Sequence, residues 1–584
     1  MIRETLQELI RKACVDLNFE VAEITLEHPE NLEHGDYSTN VALVLAKKLG
    51  KNPREVAEEI RSRILDTKYQ ILNTSIEKIV VAGPGFINFF LSPQYFLKET
   101  QEILKKKEKY GAGSKKKKVI VEYSSPNIAK SFGIGHLRST IIGQAIYNLY
   151  KFLGYKSIGI NYPGDWGTPH GKILYQLYKD LELRGKSLED QKRMLQNLTV
   201  SSLEFFYVEF NKDAALDPSL EEEARNWFKK LEQGDKEARM IWGQTRAISL
   251  KEFDRIYDLL NVKIDNLIGE SFFEDKMDQV VTDFKKKGLA QESQGALIVP
   301  FPNDVLPPAM LLKSDGTTTY FTRDLANMKY RISKWKPNSI VIETGVEQIL
   351  HFQQVFLASK LIGYTKDEEL VHVFHGLYRT KEGKFSTRKG QTIHLEDVLR
   401  EAVDKAREII EQSETARGLS EQEKTEVAKA VGIGGIKYND LSQHPSGDIL
   451  FEWDKILNLK GNSAPYLQYT YARCKSILRK ANLGSLSFLR LRFTKFEKEE
   501  TALLRLLYRF EEVVQEAAEK FSPNLVCNFI FDLAQRYNLF YNTNPVLKAE
   551  TEEAKNFRLL LTASVAQVIK NGLSLLGIKT LERM

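Results

Sequence analysis

Cysteines are few in this chain, and long hydrophobic runs are missing. Only three cysteines occur among 584 residues, Cys14, Cys474 and Cys527, and no pair has Cys-x-x-Cys spacing. This argues against a disulfide framework and against a structural zinc site, so we expect no protein-bound structural metal and a reducing compartment. No apolar run approaches the ~18 residues that a membrane span requires, so no membrane association is expected.

We also expect no targeting segment at the start of this sequence. The first predicted helix begins near Ile2 and carries Glu4, Glu8 and Asp16, whereas signal and transit peptides avoid acidic residues at such positions. The sequence has neither an internal repeat nor a low-complexity tract. We therefore expect a cytoplasmic protein built from ordinary globular domains.

The composition is globular, with a weak excess of positive charge. Hydrophobic residues make up 42% and charged residues 28% of the chain, and the net charge is +6. At roughly 150 residues per domain, the length suggests three or four domains. The positive excess is too small to demonstrate nucleic-acid binding, but it does not oppose it.

Three regions follow one another along the sequence. Residues 1–113 are predicted to form a small α+β domain, and the lysine-rich stretch 105–118 marks its end. Residues 114–394 alternate short strands with helices, which is typical of a parallel α/β sheet, and carry a helical insertion at about 180–290. Residues 395–584 are predicted to form a helical bundle. We therefore expect a multidomain α/β protein with a Rossmann-like parallel sheet.

Periodicity locates individual elements in the first and last regions. Apolar residues recur at helical spacing over residues 37–49, a further helix starts at Pro53, and two strands flank the glycine turn at 83–85. In the last region, helical periodicity predicts one helix in each of three segments, residues 502–521, 523–538 and 554–576. Gly577 is expected to end the third helix.

The α/β region opens with a strand at residues 119–123, a loop at 124–135 and a helix at 136–150. Further strands are predicted at residues 157–162, 339–344 and 371–375. In open parallel sheets, ligands bind at the carboxyl ends of strands, and a helix N-terminus offers unpaired N–H groups to phosphates. The loop after the first strand is therefore the expected nucleotide site.

That loop and the following turn read Ser-Ser-Pro-Asn-Ile-Ala-Lys-Ser-Phe-Gly-Ile-Gly-His-Leu-Arg-Ser-Thr, residues 124–140. Gly135 allows the backbone to approach a ligand, His136 can donate to a phosphate or a ribose, and Lys130 supplies a positive charge. A single Gly-x-Gly-His is at least as often a turn between packed elements, so only the whole block points to a nucleotide.

The block resembles the first signature of class I aminoacyl-tRNA synthetases, and more narrowly that of arginyl-tRNA synthetases. Their version is Ser-Ser-Pro-Asn-x-Ala-Lys followed by His-x-Gly-His-Leu-Arg-Ser-Thr. The resemblance runs through nearly the whole chain, because further blocks occur in the family's order. These blocks are Gly35–Asn40, Gly83–Asn88, Gly164–Thr168, Ala464–Tyr469 and Glu582–Met584.

The resemblance implies an arginine–tRNA ligase. Such an enzyme uses ATP and Mg²⁺ to convert arginine to arginyl-adenylate, usually with tRNA present. It then transfers the arginyl group to the 3′-terminal adenosine of tRNA(Arg), releasing AMP. The resemblance also implies an N-terminal domain at the outer corner of the tRNA, an anticodon-binding C-terminal bundle and a monomer.

The two ATP signatures depart from the usual family pattern. Gly133 stands where the first signature has a histidine that contacts the ATP phosphates. A non-catalytic tRNA-binding paralogue is therefore an alternative. The second signature, Lys-Met-Ser-Lys-Ser, corresponds to Lys384-Phe385-Ser386-Thr387-Arg388. Many arginyl enzymes lack its second lysine, and the lysine at the position of Lys130 is thought to compensate. The resemblance assigns three residues of the second loop to the triphosphate, Lys384, Ser386 and Arg388.

A guanidinium pocket requires carboxylates, because that group is planar, always charged and rich in donors. Glu122 lies in a short apolar strand, where an unpaired carboxylate is costly. Tyr320 and Asp324 are four residues apart and would share a helix face. By resemblance these three residues bind the guanidinium, and three others bind the amino-acid head group, Ser125, Asn127 and Gln354. Each residue taken alone also fits a purely structural role.

Aromatic and basic residues alternate in the C-terminal region, a pattern that suits stacking on unpaired bases and contact with phosphates. The tRNA-binding candidates are Tyr466, Tyr469, Tyr471, Arg473, Lys475, Arg479 and Lys480, with Tyr541, Asn542 and Asn544 on weaker grounds. A helix with a tyrosine core face and a solvated basic face is the competing interpretation.

A third hypothesis is a nucleotidyltransferase that activates a small acid without RNA, but such an enzyme would not need the long helical C-terminal region. For the arginine hypothesis, Glu122 and Asp324 must lie close together and at the same sheet edge as His136.

Overall fold

The computed structural model describes residues 1–66, 74–380, 383–384, 394–413, 418–481 and 495–584. They form a small α+β domain, a domain with a parallel five-stranded sheet, and a helical C-terminal bundle. The predicted fold class is confirmed. Among the described residues, no helix combines the length and apolarity needed to cross a bilayer.

The N-terminal domain packs helices against a three-stranded antiparallel sheet of order β1-β3-β2. Its elements are α1 (Ile2–Asp16), α2 (Val41–Leu49), α3 (Pro53–Asp66), α4 (Pro93–Lys106), β1 (Tyr37–Thr39), β2 (Ile76–Ala82) and β3 (Phe86–Leu91). The prediction of helix over residues 37–49 is wrong for its first three residues. They pair with residues 87–89 as a strand, because tyrosine and threonine suit a half-buried pleated surface.

The central domain is built on a parallel sheet of order β11-β10-β4-β5-β6. The strands are β4 (Lys118–Glu122), β5 (Lys156–Asn161), β6 (Asn266–Leu267), β10 (Ser339–Gly345) and β11 (Glu369–His375). The four strands predicted for this sheet are confirmed, with ends shifted by one or two residues. The strand order reverses between β4 and β10, which is where such sheets bind ligands.

Helices cover both faces of this sheet. In chain order they and the insertion helices are α5 (Ile134–Phe152), α6 (Thr168–Asp180), α7 (Leu188–Leu195), α8 (Val200–Leu216), α9 (Leu220–Glu232), α10 (Lys236–Leu260), α11 (Met277–Lys286), α12 (Tyr320–Trp335) and α13 (Ile349–Ile362). Val119 and Val121 join the core under α5, whereas Ile120 joins the core under α12 and α13. Because strand side chains alternate, Glu122 faces the α12 side with Ile120.

Helix α5 approaches β4 unusually closely at one glycine. A Cβ atom at Gly143 would lie 2.0 Å from the Cβ of Tyr123, well inside any real contact. Glycine at this position therefore allows the helix to lie directly on the strand.

Two small sheets complete the central domain. One has the order β7-β8-β9, formed by Gln291–Ser293, Ala296–Val299 and Ala309–Leu312. The other has the order β13-β12-β14, formed by Gly383–Lys384, Tyr378–Thr380 and Ile449–Leu450. The second sheet therefore joins the end of the α/β domain to the start of the bundle.

The C-terminal bundle contains α14 (Leu395–Gln412), α15 (Glu421–Leu441), α16 (Trp453–Ile456), α17 (Ala464–Ala481), α18 (Lys498–Leu507), α19 (Phe510–Glu519), α20 (Asn524–Thr543) and α21 (Glu552–Leu575). Gly577 ends α21 at φ +68°, as predicted. The single helix predicted over 502–521 is wrong, because the chain breaks between α18 and α19. The buried Tyr508 at that break packs against Tyr37, Tyr95 and Phe96 of the N-terminal domain.

The N-terminal domain docks on this bundle through a buried ionic cluster. Asp36 pairs with Arg505 of α18 at 2.9 Å. Glu512 of α19 is 7% exposed, accepts a hydrogen bond from the Tyr37 hydroxyl, and contacts Nε2 of His28 at 3.0 Å. The Gly35–Asn40 block thus supplies two residues of a domain interface.

Candidate active site

The loop after β4 lies at the switch point of the sheet and is held by its own serines. Ser124 and Ser125 have φ values of +75° and +45°. The Ser124 hydroxyl bonds to the hydroxyls of Thr140 and Tyr257, each at 2.8 Å. The Ser125 hydroxyl accepts from the Tyr162 N–H at 3.3 Å. These bonds fix a left-handed backbone that costs energy in isolation, which is common in binding loops.

His136 forms the helix tip together with Gly133. The Gly133 N–H donates to Nδ1 of His136 at 3.0 Å. Burial lowers the pKa of His136, and the nearby Lys130 adds to this effect. A neutral ring that accepts at Nδ1 carries its proton on Nε2, so His136 can donate one hydrogen bond to a ligand. Gly133, which replaces the first histidine of the signature, therefore has no free N–H for a ligand, because its N–H already donates to His136.

The two remaining residues of the first signature are open to solvent. Gly135 is exposed, and no atom lies within 4 Å of where its Cβ would be. Lys130 is exposed as well, with Nζ 5.2 Å from the ring centre of Tyr207 on α8. Space and positive charge therefore adjoin the helix tip.

The second signature follows the hairpin of β12 and β13. Lys384 is the last residue of β13, while Ser386 and Arg388 lie outside the described residues. Beyond the signature, the Leu395 N–H donates to the Phe132 carbonyl at 2.7 Å. The residues that follow the second signature thus lie directly beside the first signature.

A buried arginine connects the first signature to the bundle. Arg138 of α5 is 1% exposed and lies 3.2 Å from Asp440 on α15. It also donates to the carbonyls of Gly447 and Pro445 at 2.7 and 3.1 Å. Tyr378 of β12 donates to the same Asp440 at 2.6 Å. The helix tip and the hairpin before the second signature therefore share one carboxylate.

Glu122 and Asp324 are brought together at the carboxyl edge of the sheet. Burial raises the pKa of Glu122, the Arg331 guanidinium opposes this rise, and the charge of Asp324 adds to it. Glu122 accepts a hydrogen bond from Arg331, and Asp324 contacts Nε2 of His351 at 2.6 Å. His136 lies at the same edge, because it follows the loop that leaves Glu122.

Further residues at this site are not among the predicted ones. Glu270 pairs with Arg323 at 2.9 Å. Burial raises the pKa of Glu270 to about 8, with Arg323 opposing and Asp324 reinforcing the rise. The Tyr162 hydroxyl is buried and has no hydrogen-bond partner within the described ranges. Burial and the charges of Asp324 and Glu270 raise the pKa of Tyr162. Tyr162 directly follows β5 and Glu270 lies three residues after β6, and that position after a parallel strand is the signal that could have found them.

The remaining predicted arginine-site residues lie at the rim. Tyr320 begins α12 and is 63% exposed, with the Arg323 guanidinium 5.5 Å from its ring centre. Gln354 donates to the Pro307 carbonyl at 2.8 Å. Asn127 is exposed and lies against Gly164, where a Cβ would be 2.0 Å from the asparagine Oδ1.

A cavity of about 380 Å³ lies on the bundle among the predicted RNA-binding residues. The Arg473 guanidinium lies between the rings of Tyr469 and Tyr541, 4.9 and 5.4 Å from their centres. Arg479 and Lys480 also line the cavity. Tyr466 instead faces the bundle, where Asn538 donates to its hydroxyl at 2.8 Å.

The other candidates of this region differ in exposure. Tyr471 is 4% exposed and donates to Glu582 at 3.1 Å. Lys475 pairs with the same carboxylate at 3.3 Å. Asn544 is buried, whereas Asn542 is exposed.

Three family descriptions match successive parts of the chain. The arginyl tRNA synthetase N terminal domain matches residues 2–91. The catalytic domain of tRNA synthetases class I (R) matches residues 99–453, and the DALR anticodon binding domain matches residues 467–584.

Individual relatives agree with these families. The chain is 40% identical over 590 residues to the arginine–tRNA ligase of Halothermothrix orenii, covering 100% of this chain and 99% of the relative. Arginyl-tRNA synthetase of Plasmodium falciparum superposes with a TM-score of 0.83 at 26% identity, covering 100% and 99% of the two chains. The Thermus thermophilus enzyme gives 0.82 at 25% identity and covers 100% of both. The non-catalytic alternative is not favoured, and the chain belongs to the arginyl-tRNA synthetases, class I ligases that use ATP to attach arginine to tRNA.

Proposed function

We propose that Glu122 and Asp324 bind the guanidinium of arginine while Lys130 and His136 bind ATP at the adjacent helix tip. The arginine carboxylate attacks the α-phosphorus of ATP, pyrophosphate leaves, and arginyl-adenylate forms. The 2′-hydroxyl of the terminal adenosine of tRNA(Arg) then attacks the arginyl carbonyl, and AMP leaves. The observation that carries this proposal is the buried Glu122 interacting with the half-buried Asp324 beside a helix N-terminus at the switch point of the sheet.

The amino-acid pocket would select arginine by charge and by hydrogen-bond number. A guanidinium can donate to both carboxylates at once, whereas an ammonium offers only a point charge. Tyr320 would close the pocket from its exposed position on α12. Ser125, Asn127 and Gln354 would hold the amino-acid head group, since they lie on the loop and the helix that border the pocket.

At the ATP end, positioning and charge dominate over proton transfer. His136 would donate from Nε2 to a phosphate, and Gly135 would let the backbone come close. Lys130, Lys384, Ser386 and Arg388 would engage the triphosphate. No three potential ligand side chains are grouped for a metal ion within the described ranges. Mg²⁺ would therefore be held mainly by phosphate oxygens and water, where it neutralises the charge of pyrophosphate.

On the bundle, the cavity around Arg473 would receive an unpaired base of the anticodon loop. Tyr469 and Tyr541 would stack on the base, and Lys480 would contact a phosphate. Tyr466 would support Tyr469 from the preceding turn. We further propose a cytoplasmic location, which agrees with three free, buried cysteines, and a monomer on the ground of the family resemblance alone.

Steady-state aminoacylation of tRNA(Arg) tests the pocket. Asp324→Asn is expected to raise the KM for arginine at least tenfold and to leave the KM for ATP within threefold, because a charged hydrogen bond is lost only at the amino acid. Asp278→Asn, an exposed change on α11, is the matched control. An unchanged KM for arginine in the Asp324 variant would refute the pocket. Absence of any wild-type charging would favour the non-catalytic alternative.

A further inference from the structure

Arg331 is a buried guanidinium beneath the proposed arginine pocket. It lies on α12, two helical turns after Asp324 and on the same face, and is 1% exposed. Its Nη2 donates to Oε2 of Glu122, and its guanidinium carbon lies 5.8 Å from the ring centre of Tyr162. Its Nε and Nη1 find no acceptor among the described residues. Glu122 is therefore the carboxylate that holds this buried cation.

Glu122 is engaged from one side only. Its Oε2 accepts from Arg331, whereas its Oε1 takes part in no hydrogen bond within the part of the chain that the structure describes. The nearest acid, Asp324, interacts with it electrostatically and is itself paired with His351. One oxygen of Glu122 is thus fixed by the protein, and the other is left for a donor from outside.

We propose that Arg331 is a positioning residue for arginine recognition, which favours the charged form of Glu122 and holds its Oε2 so that Oε1 meets the guanidinium of the substrate. The inference rests on the proposed function, because it takes Glu122 to be part of the arginine pocket. Arg331 itself touches neither arginine nor ATP in this scheme and acts through Glu122.

The charge balance around Glu122 explains why it needs this partner. A carboxylate buried in low dielectric tends to take up a proton, and a second acid nearby strengthens that tendency. Around the pocket, Asp324 and Glu270 are the neighbouring acids, and Arg323 is already paired with Glu270. Tyr162 also faces Glu122, whereas His351 pairs with Asp324. Without Arg331, the pKa of Glu122 would rise further, and a protonated acid is a poorer acceptor for a cation.

The opposite role would be competition, in which Arg331 occupies the substrate's place and must leave. A buried cation separated from its single carboxylate carries a large desolvation penalty. Arg331 therefore stays in place when arginine binds, and the two guanidinium groups share Glu122 through different oxygens.

Substitutions at position 331 test whether Arg331 positions Glu122, in the full-length enzyme with saturating tRNA and ATP. Arg331→Gln is expected to raise the KM for arginine by roughly tenfold to hundredfold, the range for losing a hydrogen bond to a charged group, while kcat stays within threefold. Arg331→Lys keeps the charge and should recover most of the loss. Lys329→Gln is the control on the same helix, because Lys329 pairs with Asp283 on α11, away from the pocket.

A pH profile separates positioning from a merely structural role. In the Arg331→Gln variant, the KM for arginine should fall more steeply as pH rises, because loss of the guanidinium raises the pKa of Glu122 further. The wild type and the lysine variant should show a smaller slope. A lower thermal midpoint with a wild-type slope would mean that Arg331 only stabilises the fold, and would overturn the proposal.

Glu122→Gln and the double variant show separately whether the arginine pocket is correct and whether Arg331 acts through Glu122. If Glu122→Gln raises the KM and Arg331→Gln does not, the role of Arg331 fails while the pocket stands. If Glu122→Gln leaves the KM unchanged, the pocket itself is wrong. Adding Arg331→Gln to Glu122→Gln should cause no further rise, and a lower KM in Arg331→Gln would establish competition. The double variant leaves no unpaired charge, so it serves the test if Arg331→Gln alone does not fold.

Discussion

The docking of the N-terminal domain on the bundle should depend on one buried carboxylate, Glu512. It receives the Tyr37 hydroxyl on one oxygen, and His28 and Arg3 on the other, at 3.0 and 3.3 Å. Glu512→Gln keeps an acceptor for Tyr37, but it turns a donor toward His28 and Arg3. The substitution therefore removes two charged contacts between domains without changing side-chain volume.

The expected cost follows from burial. A hydrogen bond to a charged group is worth about 1.5–3 kcal/mol, and Glu512 is nearly inaccessible to water. The Arg3 contact must be discounted, because that side chain is one-third exposed and solvent screens it. The two contacts together should contribute about 2–4 kcal/mol to domain docking.

Hydrogen exchange on the intact enzyme measures this local opening directly. Peptides that cover residues 36–39 and 87–91 should exchange faster in the Glu512→Gln variant by about the factor that 2–4 kcal/mol implies, roughly thirtyfold to a thousandfold. Peptides from the parallel sheet should be unaffected. Glu516→Gln on the same helix is the control, because the Glu516 side chain is 43% exposed and pairs only with Lys520 among the described residues.

The contacts of Glu512 also determine how domain docking depends on pH. Burial alone would raise the pKa of Glu512, but the hydrogen bonds and charges of His28, Tyr37 and Arg3 outweigh it and lower the pKa. An acid with a lowered pKa stabilises the docked state above its unfolded value, about 4.3, and that contribution is lost as pH falls through the lowered value. The difference between wild type and variant should therefore shrink in acid. Equal exchange in both proteins at neutral pH would refute the reasoning.

Three further outcomes are expected. Lys130→Ala should reduce arginyl-adenylate formation at least tenfold without lowering the thermal midpoint, because Lys130 is exposed, and wild-type pyrophosphate exchange would contradict its role. Arg473→Ala should raise the KM for tRNA and flatten its salt dependence, with the KM for arginine unchanged as the check. Burial lowers the pKa of His375, but Glu343, 2.7 Å away, raises it more. The stabilisation of the folded state by the protonated His375 beside Glu343 is complete below pH 6.5 and is lost as pH rises through the raised pKa. Over that pH range the thermal midpoint of the wild type should therefore fall relative to that of the His375→Gln variant.

The parallel sheet could be predicted because its strands are short buried runs bounded by loops, and the helix after β4 because its N-terminus follows such a strand. The placement of Glu122 and His136 at the same sheet edge could also be predicted, because a single loop connects them. Residues that meet only through the fold could not be found in this way. Arg331 reaches Glu122 from 209 positions away.

Local periodicity also failed where contacts with distant parts of the chain decide the structure. Residues 37–39 have an apolar spacing compatible with helix, yet pairing with β3 makes them a strand. The break at Tyr508 has no glycine or proline to mark it, because the cause is the aromatic surface of the N-terminal domain. The hydrogen bond from Gly133 to His136 likewise depends on a rotamer that no motif specifies.

The close contact at Gly143 sets how deeply α5 sits in the molecule. Adding a single methyl group there would force the helix off β4 and carry its first turn away from the strand ends. The separation between the proposed ATP site at the helix tip and the proposed arginine site beyond Glu122 is thus set by a residue that belongs to neither. Alanine has the higher helix propensity and would otherwise be the better residue at position 143. Here the position of the helix relative to the strand ends, and not helix propensity, should decide which substitutions are tolerated.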